Sequence, residues 1–182
     1  MLKISKADYD LIRWEAERSY PHECCGILLG TIAPPQSPQQ AKPGLAGDPA
    51  QPANAARSGD PGAGHERKVS LTLICENART DSPGNRYSIH PEQLIAGLKL
   101  ARNRGETIVG FYHSHPDHPA QFSTTDLDEA HWFDCSYLIV SVEHGRASSG
   151  SSFVLTGTED SKQFEAEKIE VVAYQRSLRD AV

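Results

Sequence analysis

The sequence is short of several things that would assign it to a class. It has only four cysteines in 182 residues, Cys24, Cys25, Cys75 and Cys135. That is too few for a disulfide framework in a chain this long, and no C-x-x-C pair is present to build a cysteine zinc site. It lacks a positive excess: the net charge is −6 and the pI about 5.7, which argues against a broad phosphate-binding face and against nucleic acid as a partner, though not against a local basic patch. Long apolar runs are missing too. The longest are of the order of Tyr137-Leu138-Ile139-Val140, so no segment spans a bilayer. The N-terminus carries Lys3, Lys6 and Asp8 in place of an apolar leader, and the expected location is the cytoplasm.

Aromatic side chains are absent between Ala33 and Glu66, where seven of the 12 prolines and five of the 14 glycines are gathered. Such a stretch has nothing from which to build a core. The expectation is one domain over residues 1–182, interrupted by a disordered insertion at 33–66. Removing it leaves a folded unit of about 150 residues, an ordinary domain size.

What is present alternates between helix and strand signals. Ser5 to Ser19 reads as a helix, with Ser5 as cap, Asp8 as its partner, and Tyr9, Ile12 and Ala16 on one face. Cys24 to Gly30 is a short apolar run bounded by glycine, a buried strand. Arg67 to Cys75 alternates Val69, Leu71 and Leu73 inward and completes a hairpin whose turn is the insertion. Pro91 to Arg104 is a helix opened by proline and ended by Gly105, with Leu94, Leu98 and Ala101 on a face beside Ile95. Thr107 to His115 is a strand, Ser123 to about Phe133 a helix and Ser136 to Val142 a strand. Weaker strand signals fall at Phe153 to Thr156 and Ile169 to Val172. The fold class is α+β, a mixed central sheet flanked by helices in a three-layer-like arrangement.

Chemistry concentrates in His113-Ser114-His115-Pro116-Asp117-His118-Pro119-Ala120-Gln121-Phe122-Ser123-Thr124-Thr125-Asp126. Residues two apart on a strand project from one face about 7 Å apart, so His113 and His115 can converge on one metal. Pro116 closes the strand, and Asp126 falls in the first turn of the next helix. Two imidazoles and one carboxylate suit zinc, and three protein ligands leave a fourth position for water, as a catalytic site requires. Ser123 and Asp126 have a plainer reading as a capping box. A hydrolase also needs a proton acceptor, and Glu23, a carboxylate at the start of a buried strand, is the best candidate. His118 and His131 are not counted as ligands, since either would close the open position. Cys24 and Cys25 read as strand-packing residues rather than nucleophiles, and Trp132 as core or groove wall. Cys75 and Cys135 could approach each other across the sheet, but a disulfide is not expected in the cytosol.

His113-x-His115-Pro116-x6-Ser123-x-x-Asp126, with Glu23 upstream in Pro-His-Glu-Cys-Cys-Gly, resembles the JAMM (MPN-plus) metalloprotease family. The likeness takes in the rest of the chain outside the insertion, through Asn77 to Pro91 and Ser136 to Val142, and is greatest to the small stand-alone bacterial members. The resemblance implies a cytidine-deaminase-like architecture and one zinc ion per chain, held by His113, His115 and Asp126 with water as fourth ligand. It implies Glu23 as general acid/base and Ser123 as hydrogen-bond donor to the oxyanion. It further implies a partner of the ubiquitin-like or sulfur-carrier kind, cleaved after a C-terminal Gly-Gly. Phe122 stands where relatives often have proline. Two other readings are a non-catalytic MPN-type binding module and a DNA-repair-associated relative with a similar His-x-His-Pro signature. Intact Glu23 and Ser123 weigh against the first, and the acidic charge and lack of a helix-hairpin-helix module against the second.

Overall fold

The computed structural model describes residues 1–33, 65–79, 84 and 86–173. In chain order it contains β1 (Leu2–Ser5), α1 (Lys6–Ser19), β2 (Cys25–Ala33), β3 (Glu66–Cys75), α2 (Pro91–Asn103), β4 (Thr107–Pro116), α3 (Thr124–Glu129), β5 (Ser136–Glu143), β6 (Arg146–Thr158), β7 (Ser161–Glu167) and β8 (Ile169–Val172). All eight strands join one sheet in the order β7-β6-β5-β4-β2-β3-β1-β8. The sheet is mixed: β4 and β5 run parallel, as do β1 with β3 and β1 with β8, and the other pairs are antiparallel. This is the α+β mixed sheet read from the sequence.

Period-two alternation sends successive side chains to opposite faces and so divides the core. Cys24 and Leu28 join Ile4, Ile12, Ala16, Tyr112 and Leu138 on the face that α1 covers. Cys25, Ile27 and Leu29 join Ala101, Phe111, Tyr137 and Leu155 on the face that α2 covers. The sheet is thus the middle of three layers. Gly26 makes one approach possible, because a Cβ there would collide with the Tyr112 ring and the Leu73 carbonyl of the two neighbouring strands.

Several local expectations are met for the reasons given. Ser5 caps α1: its Oγ accepts from the Asp8 N–H at 3.0 Å and donates to the Asp8 carboxylate at 2.6 Å. Pro91 opens α2, and Gly105 follows it in the left-handed region at φ 67°. β2 and β3 form the expected hairpin arms, with Cys25 opposite Cys75 and Ala33 opposite Glu66. Residues 34–64, the body of the expected disordered insertion, lie outside the described residues.

Other expectations need correction. α3 stops at Glu129 rather than about Phe133. Ala130 is extended, the Trp132 N–H donates to the Tyr137 hydroxyl at 3.0 Å, and the Trp132 ring packs edge-on against Phe111. Burying these aromatics outweighs helix continuation. On α2 the buried residues are Gly97 and Ala101, while Ile95 and Leu98 are 50% and 41% exposed. Small residues let the helix approach Ile27 and Leu73 closely, so its contact face is rotated from the one its large apolar residues mark. β1 and β7 carry too few residues, or too polar a pattern, to be read as strands from sequence.

Candidate active site

β4 lies between β2 and β5 near the middle of the sheet, the most constrained position available. His113 stands opposite Cys25 of β2, and His115 opposite Ser141 of β5. Both imidazoles are buried, at 1% and 8% exposure. After Pro116 the chain crosses a short loop to Ser123, which caps α3 as the plainer sequence reading proposed. The Ser123 hydroxyl accepts from the Asp126 N–H at 3.1 Å, and the Ser123 N–H donates to Asp126 Oδ2 at 2.6 Å. The box turns Asp126 back over the end of β4.

His113, His115 and Asp126 are thereby brought together. The Nε2 atoms of the two imidazoles are 3.0 Å apart, and Asp126 Oδ1 and Oδ2 lie 3.3 Å from His113 Nε2 and 3.4 Å from His115 Nε2. Among the described residues these three form the only group of His, Cys, Asp or Glu side chains able to share a metal ion. Ligand atoms about 2.0–2.1 Å from a tetrahedral zinc are separated from one another by about 3.3 Å. The three donor atoms therefore have zinc spacing as well as zinc chemistry.

The charge balance within the cluster is uneven. Burial pulls the His113 pKa down. Burial acts the same way on His115, but the Asp126 carboxylate and the more distant Glu23 outweigh it and raise its pKa. Burial opposes ionisation of Asp126, yet the two imidazoles hold it far below the ordinary carboxylate range. His115 Nδ1 faces the Pro119 carbonyl at 3.1 Å. Since a carbonyl only accepts, Nδ1 carries the proton and Nε2 keeps its lone pair for the cluster.

Glu23 lies beside this group, 5% exposed, with its Oε2 unpartnered. Burial pushes its pKa up to about 8, His115 partly opposes this, and Asp126 and Glu129 add to it. Glu23 lines two cavities. One, of about 380 Å³, is shared with His115, Ser123, Arg86 and Phe122. The other, of about 450 Å³, runs toward the end of α1 and the end of β3. The Ser123 hydroxyl borders the first cavity and donates to Asp126 Oδ2 at 2.7 Å.

Of the other residues singled out, His131 is on the surface against Glu159 and Lys162, away from the cluster. His118 borders the first cavity without joining the cluster. Phe122 packs edge-on against Phe153 and Phe164. All four cysteines are free and buried, with burial raising each thiol pKa. Cys75 on β3 and Cys135 just before β5 are separated by β2 and β4.

Two neighbours of the site were missed. Tyr87 stacks on the His113 ring at 4.5 Å. Asn77 donates from Nδ2 to the Glu23 and Arg86 carbonyls and accepts from the Ser88 N–H, tying the segment that carries Tyr87 to the one that carries Glu23. Both lie in the Asn77 to Pro91 segment of the family likeness, but no motif there marks a role for either, since Tyr87 acts on His113 and Asn77 on Glu23, both distant in sequence.

The family model described as prokaryotic homologs of the JAB domain matches residues 5–156. The chain belongs to this family. A desampylase of Haloferax volcanii is 35% identical to this JAB domain over 101 residues, 56% of this chain and 70% of that one. A probable TtuB-protein conjugate cleaving protease of Thermus thermophilus is 36% identical over 66 residues, 36% of this chain and 44% of its own length. Solved structures from Desulfitobacterium hafniense and Salinibacter ruber share the fold. Their TM-scores are 0.63 and 0.59 at 24% and 28% identity, and the alignments cover 94% and 93% of this chain and 94% and 91% of theirs. The likeness to the JAMM family read from the motif is borne out, and this JAB domain is a hydrolase. Among the described residues, no helix is long and apolar enough to cross a membrane.

Proposed function

We propose that the protein is a zinc-dependent peptidase that cuts the bond after the C-terminal Gly-Gly of a ubiquitin-like or sulfur-carrier protein, whether that bond leads to a lysine or to a short extension. The observation that carries the reading is the pairing of a zinc-spaced His113–His115–Asp126 cluster with a buried, unpartnered Glu23 on the same cavity. The names of the two relatives supply the substrate class.

His113 Nε2, His115 Nε2 and the Asp126 carboxylate would hold the metal. When bound, zinc supplies a Lewis acid for the scissile carbonyl and for water. Glu23 takes the proton of the attacking water and delivers it to the departing amine. A carboxylate whose pKa burial has raised toward neutrality is suited to carrying a proton both ways. Ser123 turns its hydroxyl from Asp126 to the oxygen on which charge develops. The two cavities meeting at Glu23 leave room for chain on either side of the cut bond, and glycines on one side avoid crowding a buried cleft. We also infer a single domain carrying 34–64 as an insertion, because strands from both sides of it join one sheet. Its two attachments, Ala33 and Glu66, sit at the end of the β2–β3 ladder remote from Cys25, roughly 25 Å along the strand.

The test is to load the protein with zinc and incubate it with carriers extended past Gly-Gly, reading products by mass spectrometry. Glu23→Gln should retain one zinc per chain and lose at least about 100-fold in cleavage rate. A variant that cleaves at the wild-type rate would remove Glu23 from the mechanism. Absence of product from several carriers would remove the substrate assignment.

A further inference from the structure

We propose that Ser141 and Asp117 are positioning residues for the metal centre: together they fix the His118–Pro119 segment, whose Pro119 carbonyl orients His115. The inference rests on the reading above, because it takes His115 Nε2 as a ligand.

The argument starts from register. Ser141 is the β5 partner of His115, so the two side chains lie on one face of neighbouring parallel strands. Ser141 is 1% exposed, and its hydroxyl donates to the His118 carbonyl at 2.7 Å. His115 Nδ1 donates to the very next carbonyl, that of Pro119, at 3.1 Å. Two adjacent side chains of the sheet therefore grip two successive carbonyls of the loop. The Pro119 carbonyl also accepts the Gln121 N–H at 2.8 Å, so it is aimed from a closed turn.

Asp117 secures the start of the same loop. It sits in the left-handed region at φ 54°, a conformation that Asp tolerates better than most residues. Its N–H donates to the Val142 carbonyl at 2.7 Å. Its carboxylate accepts the Tyr20 hydroxyl at 2.8 Å and the His144 N–H at 2.9 Å. The loop is thus tied to the end of α1, to β5 and to the β5–β6 turn. His113, the other imidazole, has no such support, and its Nδ1 lacks a partner among the described residues. The ring that needs an external hold is His115, whose 8% exposure leaves it freer than the fully enclosed His113. Groups that orient a metal-binding imidazole through its second nitrogen typically change metal affinity about 10- to 100-fold when removed.

The test is zinc affinity, measured on the full chain by competition with a chromogenic chelator at neutral pH, beside the melting curve of the metal-free protein. Ser141→Ala acts one peptide away from the carbonyl that holds His115 and should weaken zinc binding about 10-fold, the low end of that range, while the metal-free protein stays folded at the assay temperature. Ser141→Thr, which keeps the hydroxyl, should bind zinc as tightly as wild type. Tyr20→Phe frees one oxygen of Asp117 at the edge of the latch and should weaken binding by a smaller factor, about threefold, with no need to alter a buried strand. With cobalt(II) in place of zinc, the visible absorption of Ser141→Ala should differ from wild type. Wild-type affinity in folded Ser141→Ala overturns the inference, as does wild-type affinity in Tyr20→Phe or an unrestored Ser141→Thr that is folded. A wild-type chain that takes up no zinc overturns the metal reading itself, and so the two failures are distinguishable.

Discussion

Arg67 and Glu23 are both buried ionisable side chains, 2% and 5% exposed, at opposite ends of the β2–β3 ladder. Arg67 stands opposite Ile32 at the far end and is engaged through Nε and Nη1. Its Nε donates to the Asp134 carbonyl at 2.5 Å, and its Nη1 to the His65 carbonyl at 3.2 Å and to Glu167 at 3.5 Å. Ser152 in turn donates to the other Glu167 oxygen at 2.8 Å. Glu23 has an orphan oxygen and a pKa displaced to about 8. The same sheet therefore treats one buried charge as structure and keeps the other uncomfortable. A buried polar group without a partner costs stability, and it persists where its reactivity is used.

The largest destabilisation should come from the satisfied end. Arg67→Met keeps the side-chain volume but strips the Asp134 carbonyl of its donor and leaves Glu167 to the N-terminal ammonium, 3.0 Å away. Breaking a buried pair costs about 3–5 kcal/mol when the partner charge is left uncompensated, and with the ammonium in place the loss should be about 2–3 kcal/mol. In a chain of this size that lowers Tm by roughly 4–12 °C. Zinc uptake by the protein still folded should equal that of wild type. A variant that melts normally would show that Arg67 is no more needed than a surface charge, and the contrast between the two ends would collapse.

The unsatisfied end should respond with the opposite sign. Below pH 4.5 the Glu23 carboxyl is protonated in both the folded and the unfolded chain. Between 4.5 and about 8 only the unfolded chain gives up its proton, so folding loses stability as pH rises; above about 8 the loss levels off. Glu23→Gln removes that dependence. Metal-free Glu23→Gln should therefore be more stable than metal-free wild type by about 4 kcal/mol at pH 8, with the gap closing toward pH 4.5. Paired thermal melts at the two pH values read this directly. A variant less stable than wild type at pH 8 would mean that Glu23 is a structural residue like Arg67.

The two ends also differ in how far the sequence reveals them. His113, His115, Pro116, Ser123 and Asp126 fall within 14 residues, and their relation is set by strand and helix periodicity, so spacing marks the two histidines and Asp126 as a candidate metal set, while Ser123 reads from spacing only as a helix cap. Glu23 lies 90 positions from His113 and meets it only because β2 pairs with β4. Local pattern offers it as a strand-end carboxylate, and the family resemblance singles it out. Tyr87 and Asn77 have neither a motif nor a period and come into view only with the sheet. Arg67 is the extreme case: it begins an ordinary alternating strand, and nothing in the sequence announces a guanidinium at 2% exposure. Strands, helices and the sheet class were legible because burial imposes a period. The face of α2 was not, since Gly97 and Ala101 set it by being small, and the end of α3 was not, since distant aromatics decide it.

The smallest effect tests whether the contrast reaches the partners of the charges. Ser152 is 2% exposed and joins the Arg67 network through one hydrogen bond to Glu167. Ser152→Ala deletes that bond and leaves a cavity no larger than an oxygen atom. A hydrogen bond to a charged group is worth about 1.5–3 kcal/mol, and here Arg67 and the N-terminal ammonium still hold Glu167, so the loss should be near the low end, about 1.5–2 kcal/mol. That is roughly 3–8 °C in Tm. The sign matters more than the size. At the Arg67 end, removing a polar atom should destabilise the fold, whereas at the Glu23 end, neutralising a carboxylate should stabilise it. If Ser152→Ala raised Tm, the network around Arg67 would be under the same tension as Glu23, and a buried charge at either end of the sheet would carry no information about which one does chemistry.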